Sequence, residues 1–271
     1  MTTLGHLGQK SNYPKQYNPD LLFAIPRQIK RLEIGLNSAQ PGFYGVDIWN
    51  HYELSWLDSK GKPCVAIGKI TYSALSPNII ESKSMKLYFN SFNATKLASA
   101  QELITTVTKD LTNKVEAPVS FELLSIYNIS IITALPGICL DQQDIICDNY
   151  SPNPDFLYCD DIELSEELYS DLLKSNCAIT NQPDWGSIYI SYTGKKINHA
   201  GLLKFIISLR NTNEFHEQCV EYIFRQIILK CAPKHLTVYA CYTRRGGVDI
   251  NPLRSTNKNY IVPSPNRLNR Q

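Results

Sequence analysis

The sequence lacks the short motifs that mark the commonest metal and nucleotide sites. Its eight cysteines include no Cys-x-x-Cys pair and its five histidines are scattered, so neither a structural zinc site nor a His-x-x-x-His catalytic site is visible. No Gly-x-Gly-x-x-Gly follows a strand and no Gly-x-x-x-x-Gly-Lys-Ser/Thr loop occurs, which argues against Rossmann and P-loop nucleotide domains. We therefore expect no metal site.

Excess charge and long apolar runs are missing as well. The 27 basic and 25 acidic residues nearly cancel to +2, which leaves no electrostatic footprint for nucleic acid or an anionic membrane. No apolar stretch approaches the ~20 residues that span a bilayer. The N-terminal Met1-Thr-Thr-Leu-Gly-His has no signal-peptide pattern. We expect a cytoplasmic protein with neither a nucleic-acid nor a membrane partner, whose thiols stay free.

The first half of the chain is rich in residues that favour strands. Residues 43–56 and 63–73 form two such runs, and Asp58-Ser-Lys-Gly-Lys between them supplies a turn, so the pattern predicts a hairpin. Residues 118–133 are again typical of a strand. The turn-rich first 30 residues are expected to lie as an arm over the body.

Two amphipathic helices are predicted from apolar residues spaced three and four apart. The first has Asn93 as a plausible cap and an apolar face of Leu97, Ala100, Ile104, Val107 and Leu111. The second is capped by Asn211 or Asn213 and ends before Pro233. Its apolar face comprises Val220, Ile223, Phe224, Ile227, Ile228 and Cys231.

The second half repeats the order of the first. Residues 134–160 hold prolines among Asp and Asn, as expected of a connector. A β-rich run starts at 187 and is predicted to turn at Thr193-Gly-Lys, and a strand covers 236–243. Each half thus contains a hairpin, a helical segment and strands, which favours an α+β fold of duplicated antiparallel sheets backed by helices.

The duplication predicts two modules, residues 1–150 with the arm and connector and residues 151–271. Glu81 follows Ser76-Pro-Asn-Ile-Ile in the first half, and Glu217 follows Asn211-Thr-Asn-Glu-Phe-His in the second. We expect these two acids to be equivalent points of the repeat.

The segment 175–187, Ser-Asn-Cys-Ala-Ile-Thr-Asn-Gln-Pro-Asp-Trp-Gly-Ser, holds the best candidate for covalent chemistry. Cys177 lies seven residues before Asp184, and small, polar and turn-forming residues separate them. The segment is predicted to be a loop that leads into a strand, a common setting for reactive groups. A thiol beside a proton donor can add to an electrophilic carbon. The alternative is that Cys177 is a small buried apolar residue.

Three further clusters carry polar groups. Glu81-Ser-Lys-Ser-Met-Lys86 is either a solvated turn or a pocket rim, where Glu81 would accept two N–H bonds and Lys83 or Lys86 would meet a phosphate. His216-Glu217 opens a helix, where a neutral imidazole could relay a proton or simply face solvent. Arg244-Arg-Gly-Gly247 ends a strand and suits either a phosphate or an ordinary glycine turn.

Five segments, taken in chain order, together resemble one family, the NADPH-dependent 7-cyano-7-deazaguanine reductases, which are nitrile reductases of queuosine biosynthesis. The resemblance spans most of residues 7–255 and corresponds to the long, two-module form. It rests on Gly45-x-Asp-Ile-Trp-x-x-Tyr-Glu-Leu-Ser-Trp, Ile80-Glu-Ser-Lys-Ser-x-Lys-Leu-Tyr, Ser175-Asn-Cys-x-x-Thr-x-Gln-Pro-Asp-Trp-x-Ser, Asn213-Glu-Phe-His-Glu-x-Cys-x-Glu-x-Ile-Phe and Val238-Tyr-Ala-x-Tyr-Thr-Arg-Arg-Gly-Gly-x-Asp-Ile-Asn-Pro.

The resemblance implies a tunnelling fold, in which antiparallel sheets with helices assemble into a barrel, usually through a homodimer. It implies NADPH as cofactor and a small deazapurine as substrate. Cys177 would be the nucleophile, Asp184 the proton donor, and His216 a later proton source. The remaining implied roles are substrate binding by Glu81, Ser82, Lys83, His216 and Glu217, and NADPH binding by Lys83, Ser84, Arg245 and Gly246.

Two other functions remain open from the residues themselves. One is a hydrolase similar to the GTP cyclohydrolases, acting on a purine ring, against which the lack of obvious metal-ligand pairs argues. The other is a non-catalytic purine-binding module, which would leave Cys177 and Asp184 without a purpose.

Overall fold

The computed structural model describes residues 14, 16–37, 40–127, 131–263 and 267–271. Within these residues ten strands alternate with five α-helices. The strands are β1 (Ala24–Pro26), β2 (Tyr44–Leu57), β3 (Pro63–Ser73), β4 (Asn78–Ile80), β5 (Val119–Leu124), β6 (Ile138–Cys139), β7 (Cys159–Asn176), β8 (Pro183–Ile197), β9 (His235–Tyr242) and β10 (Val248–Ser255). The helices are α1 (Arg27–Glu33), α2 (Ser82–Asn90), α3 (Ala100–Val115), α4 (His199–Ser208) and α5 (His216–Cys231).

Eight of the strands form one sheet in the order β5-β3-β2-β10-β9-β8-β7-β6. All neighbours pair antiparallel except β6 and β7, which are parallel, while β1 and β4 form a separate two-stranded ribbon. Strand β10 pairs with β2 on one side and β9 on the other. The last strand of the chain therefore joins the strands of the first half to those of the second.

Each half of the sheet is covered by its own pair of helices. One apolar core lies between α2, α3 and the β2–β3–β5 strands, and it includes Trp49, Phe89 and Leu103. The other lies between α4, α5 and the β7–β8–β9 strands, and it includes Phe205 and Ile223. In the described part of the chain no helix combines the length and the apolar character needed to cross a membrane.

The α+β class and the repeated order of a hairpin, a helical segment and strands are confirmed. The β2–β3 hairpin has the predicted turn, in which the Asp58 side chain accepts the backbone N–H groups of Lys60 and Lys62 at 2.9 Å each. The predicted arm falls partly outside the described residues. Its described part contacts the body, since the Tyr17 hydroxyl donates to Asp110 at 2.6 Å. The boundary between residues 150 and 151 stays a prediction.

Several local predictions are wrong. Helix α3 begins at Ala100 with Ser99 as its cap, since the Ser99 hydroxyl accepts the backbone N–H of Glu102, and Asn93 lies before it. Strand β5 ends at Leu124 rather than continuing to 133, and β8 runs through Thr193, where Gly194 adopts an extended φ of 159°. The cap of α5 is Phe215 rather than Asn211 or Asn213.

The sequence analysis also missed two long strands, β7 and β10, and three helices, α1, α2 and α4. Strand β7 was missed because the predicted connector 134–160 overlaps its start and polar residues follow. Glu81 and Glu217 are not equivalent points of the repeat. Glu81 precedes the first helix after its hairpin, whereas Glu217 lies in the second helix after its own.

Five buried charged residues tie the two halves together. Arg27 on α1 bonds Asp47 on β2, and Arg254 on β10 reaches Asp47 at 2.7 Å and Glu221 on α5 at 2.9 Å. Arg31 donates to Glu221 at 2.8 Å. All five are at most 3% exposed. Burial alone would raise the pKa of Asp47, but Arg254 and Arg27 outweigh it and lower that pKa.

Replacing Asp47 by Ala should destabilise the protein strongly, because two buried guanidinium groups lose their common partner. We expect the free energy of unfolding in guanidinium chloride to fall by about 3–5 kcal/mol. Asp161 is the control, since it pairs with Lys195 at 2.8 Å while 93% exposed. Asp161→Ala should leave the free energy of unfolding nearly unchanged, because exposed ion pairs contribute little. Equal losses in the two variants would contradict a structural role for the buried cluster.

Candidate active site

Cys177 and Asp184 are brought together by the hairpin loop between β7 and β8. The Cys177 N–H donates to the Gln182 carbonyl at 2.8 Å, and the Asn181 N–H donates to the Cys177 carbonyl at 3.0 Å. Asn181 has a φ of 56°, a left-handed conformation that Asn tolerates better than most residues. The sequence suggested that Asp184 lies in the loop, but it is the second residue of β8. Its backbone is therefore held in the sheet.

A short parallel bridge holds the start of α5 beside this loop. The Asn176 N–H donates to the Thr212 carbonyl at 2.7 Å, and the Glu214 N–H donates to the Asn176 carbonyl at 3.1 Å. The helix then begins at His216, whose Nε2 lies 3.3 Å from Asp184 Oδ2. The bridge therefore brings the predicted imidazole and carboxyl groups into contact.

Tyr242 on β9 holds the His216 ring. The two rings stack with centroids 3.7 Å apart and planes 7° from parallel. Burial lowers the pKa of His216, and the positive charges of Arg245 and Lys86 add to this effect, while the contact with Asp184 opposes it. His216 is therefore neutral at neutral pH, as a proton relay requires.

Arg245 reaches the same carboxyl from the turn between β9 and β10. Its Nη2 lies 3.3 Å from Asp184 Oδ1, and its Nη1 donates to Gln182 Oε1 at 3.0 Å. The turn requires glycine, because Gly246 and Gly247 have φ values of 59° and 72°. Asp184 is consequently contacted by an imidazole on one oxygen and a guanidinium on the other.

The surroundings of the Cys177 thiol favour its deprotonated form, the thiolate. Burial would raise its pKa, but hydrogen bonds from Thr180, Arg245 and the backbone N–H of Ile179 outweigh burial and lower that pKa. Cys219 and Cys241 shift the opposite way, because burial raises the pKa of each thiol to about 12. Since the thiolate is the nucleophile, Cys177 is better prepared than either of them to attack carbon.

A small cavity opens in front of these groups. Four buried polar atoms of its lining have no partner within the described residues: Trp49 Nε1, Glu214 Oε2, His216 Nδ1 and Glu217 Oε1. Buried polar groups are normally satisfied, so this set favours a polar ligand. The full lining is Trp49, Ile80, Ser82, Cys177, Ala178, Asp184, Glu214, Phe215, His216, Glu217, Arg245 and Ile250.

Glu217 is the most perturbed acid of the cavity. It is 2% exposed, and burial, aided by the negative charge of Asp47, raises its pKa to about 8. Arg27 and Arg254 oppose the shift. Without a ligand Glu217 is thus mostly protonated at neutral pH. A ligand that donates N–H bonds to it would favour the carboxylate.

Six of the ten predicted site residues line the cavity: Ser82, Cys177, Asp184, His216, Glu217 and Arg245. Glu81 does not. Both of its carboxylate oxygens cap α2, accepting the backbone N–H groups of Lys83 at 2.8 Å and Ser84 at 2.7 Å. Lys83, Ser84 and Gly246 also lie outside the lining. The roles of all ten residues stay predictions.

Sequence reasoning missed several members of the lining. Trp49, Ile250 and Phe215 come from β2, β10 and the residue before α5. Trp49 lies within a motif that carried the resemblance, and Phe215 is adjacent to His216, so proximity to motifs was the available signal. Ile250 likewise lies within a motif that carried the resemblance, the one from Val238 to Pro252. Among the described residues, no group of three His, Cys, Asp or Glu side chains is placed to hold a metal ion.

Comparison with known proteins gives a consistent result along the chain. A family model described as nitrile reductase, 7-cyano-7-deazaguanine-reductase N-term, matches residues 13–123, and one described as QueF-like protein matches residues 183–260. Proteins named NADPH-dependent 7-cyano-7-deazaguanine reductase are similar to this chain over most of its length. The one from Legionella pneumophila (strain Lens) is 56% identical over 92% of this chain and 89% of its own. The one from Dechloromonas aromatica (strain RCB) is 51% identical over 98% and 94%.

Among solved structures, the archaeosine synthase QueF-Like in the apo form aligns with 35% of this chain and 90% of its own. Its TM-score is 0.29 and its sequence identity 16%, so this alignment carries no argument about fold or function.

Glu81→Ser separates the two roles open to Glu81. Serine is a favoured helix cap, so the melting temperature should stay close to that of the parent protein. If the carboxylate also binds the substrate, calorimetric titration should show weaker binding of 7-cyano-7-deazaguanine with unchanged NADPH binding. Glu81→Ala is the matched control, because it should lose both the cap, about 1 kcal/mol, and the substrate contact. Unchanged affinity in Glu81→Ser would limit Glu81 to capping α2.

Proposed function

This chain belongs to the family of NADPH-dependent 7-cyano-7-deazaguanine reductases, and on that premise we propose that it reduces the nitrile of 7-cyano-7-deazaguanine to the primary amine 7-aminomethyl-7-deazaguanine. The observation that carries the proposal is the closed β7–β8 loop, which presents a thiol of lowered pKa in the same cavity as Asp184 and four polar atoms that have no partner within the described residues. The expected context is queuosine biosynthesis for tRNA modification, in the cytoplasm.

The first step is addition of Cys177 to the nitrile carbon. The thiol proton passes to the Asp184 carboxylate as sulfur forms its bond to carbon. One carbon–nitrogen π pair moves onto nitrogen, which takes the proton from Asp184. The product is a covalent thioimide, and no electrons are gained or lost in this step. A nitrile carbon is electrophilic but weakly reactive, so a thiol of lowered pKa beside a proton carrier suits it.

NADPH, when bound, supplies one hydride, and two cofactor molecules in succession supply the four electrons that convert nitrile to amine. The chain's own residues must manage the protons. After a hydride has added to the thioimide carbon, the carbon–sulfur bond breaks, Cys177 leaves and an imine remains. Asp184, which lines the same cavity, would return a proton to the sulfur. His216, neutral and in contact with Asp184, is placed to pass a proton to nitrogen.

Two cations at the cavity mouth fit the anionic cofactor. Burial lowers the pKa of Lys86, and the nearby positive charge of Arg245 lowers it further. A phosphate group between these two side chains would relieve their repulsion. Gly246 leaves the approach open, since a Cβ there would meet the Lys86 side chain at 3.3 Å. Lys83 and Ser84, expected cofactor residues, lie three and two positions before Lys86 on α2.

The cavity lining also favours retention of the imine. Trp49, Ile80, Phe215 and Ile250 present apolar surface around the reacting groups. Water would hydrolyse an imine, so a dry, closed site is needed between the two hydride transfers. Glu217, which burial holds mostly protonated, would ionise as the deazaguanine donates N–H bonds to it.

We also propose that the protein is a homodimer that completes a barrel. The described sheet ends at β5, which pairs with β3 on one side only. Large apolar side chains beyond this strand are exposed, including Ile126 at 45% and Tyr127 at 87%. Pairing with a second copy would satisfy the open edge. Light scattering should then give twice the 30.7 kDa of one chain, and a monomer at micromolar concentration would contradict the proposal.

Cys177→Ala should abolish both covalent capture and turnover, because no other thiol lines the cavity among the described residues. In the parent protein without NADPH, intact-mass spectrometry should show an increase by one substrate molecule. With NADPH, the cofactor absorbance should fall by two molecules per nitrile. Cys64→Ala is the control, since Cys64 lies on β3 outside the cavity. An adduct in Cys177→Ala, or none in the parent, would refute the mechanism.

A further inference from the structure

Arg245 contacts two residues at the end of the loop that presents the nucleophile. The resemblance assigns it to the cofactor, and in this structure its guanidinium also contacts the proton carrier. One nitrogen lies 3.3 Å from Asp184, and a second donates to Gln182, whose carbonyl accepts the Cys177 N–H. The side chain thus contacts the β8 end of the loop that presents the thiol.

The neighbouring residue Arg244 shows that this orientation is specific. Arg244 stacks over the Tyr52 ring at 3.3 Å and is not part of the cavity lining. Tyr52 donates to Asp249, which precedes the lining residue Ile250 on β10 and so points to the other face of the sheet. Arg244 and Arg245 therefore lie toward opposite faces of the sheet, and Arg245 is the one that contacts the reacting groups.

The titratable groups around the thiol–carboxyl pair come from five parts of the fold. Arg245 approaches from the β9–β10 turn, Lys86 from α2, Lys174 from β7, Asp184 from β8, and Glu214, His216 and Glu217 from α5 and the residues just before it. Among the cations of the described residues, Arg245 is the one that contacts the Asp184 carboxyl, at 3.3 Å, and it also lowers the pKa of the Cys177 thiol. Burial holds His216 neutral, so the guanidinium is the positive charge in contact with the pair.

We propose that Arg245 is a catalytic residue for the addition of Cys177 to the nitrile, and that it acts in this step before any cofactor is bound. This rests on the proposed function. In the addition, the thiol proton moves to Asp184, sulfur bonds to carbon, and the proton returns to the nitrile nitrogen. Arg245 stabilises the negative charge that passes from Asp184 to sulfur and keeps its own proton throughout, so the balance of atoms is unchanged.

A cofactor role does not conflict with this assignment. Arg245 is 27% exposed at the cavity mouth, so one edge of its guanidinium remains open to an incoming anion. Once the thioimide has formed, the thiol and the nitrile no longer need the charge. The same guanidinium can then contact the cofactor.

The test is the rate of covalent adduct formation in the absence of NADPH. With the full-length protein at pH 7 and 7-cyano-7-deazaguanine, intact-mass spectrometry should show adduct formation slowed about 100-fold in Arg245→Gln, as expected for loss of one charged donor at a reacting centre. Arg245→Lys, which keeps the charge without the planar fork, should recover part of the rate. Arg244→Gln removes the neighbouring cation and should form the adduct at the parent rate.

Alkylation of Cys177 by iodoacetamide gives a second measurement that needs no substrate. In Arg245→Gln the pH dependence of alkylation should move to higher pH, because the loop of the thiol loses the cation that contacts Gln182 and Asp184. The other charged or titratable neighbours remain: Lys86, Lys174, Asp184, Glu214, His216 and Glu217. Arg244→Gln should keep the parent profile. Peptide mapping assigns the modified thiol, and melting temperatures confirm that each variant is folded.

The outcomes separate the inference from the function it rests on. Parent-like adduct formation and alkylation in Arg245→Gln, with only the KM for NADPH raised, would overturn the inference and leave Arg245 as a cofactor ligand. Failure of the parent protein itself to form an adduct would overturn the proposed function. Slow adduct formation in Arg244→Gln as well would also overturn the inference, since the effect would then be a general one of net charge.

Discussion

The site depends on the pairing of β10 with β2. This ladder joins Val248–Ser255 to His51–Tyr44 and is the seam between the strands of the two halves. It sets Ile250 opposite Trp49, so two walls of the cavity face each other across a single register pair. A slip of one residue would turn both side chains to the other face. The buried cluster of Arg27, Asp47, Glu221 and Arg254 crosses the same seam and fixes its register.

The first half of the chain has no counterpart to Cys177, yet the site could not exist without it. Trp49, Ile80 and Ser82 line the cavity, and Lys86 approaches its mouth. Asp47 and Arg27 act at longer range, pulling the pKa of Glu217 in opposite directions. The first half, which lacks the nucleophile, therefore forms the opposite wall of the pocket and contributes to its electrostatic environment.

Burial is the common physical cause behind the chemistry of the cavity. It disfavours every charged form, so it keeps His216 neutral and raises the pKa of Glu217 to about 8. The same force acts on the Cys177 thiol, but there directed hydrogen bonds from the loop and from Arg245 overcome it. The result is a site in which His216 is neutral, Glu217 is mostly protonated and the Cys177 thiol loses its proton more readily, which suits addition of sulfur to an uncharged, weakly electrophilic carbon.

By itself the sequence determined the α+β class, the β2–β3 hairpin, the start of α5 near His216 and the pairing of a thiol with a carboxyl seven residues apart, because each depends on local periodicity, turn chemistry or short spacing. Only the tertiary structure decided which partners those groups have. It placed Arg245 on Asp184, Tyr242 on His216 and Trp49 in the cavity, and it directed Glu81 to its own helix. Such contacts come from strand register and from the packing of segments far apart in the chain, and neither leaves a periodic signal in the residues themselves. Strand β7 was missed for a related reason: many of its side chains are polar and partly exposed, and the strand is held by its ladder with β8 rather than by an apolar alternation.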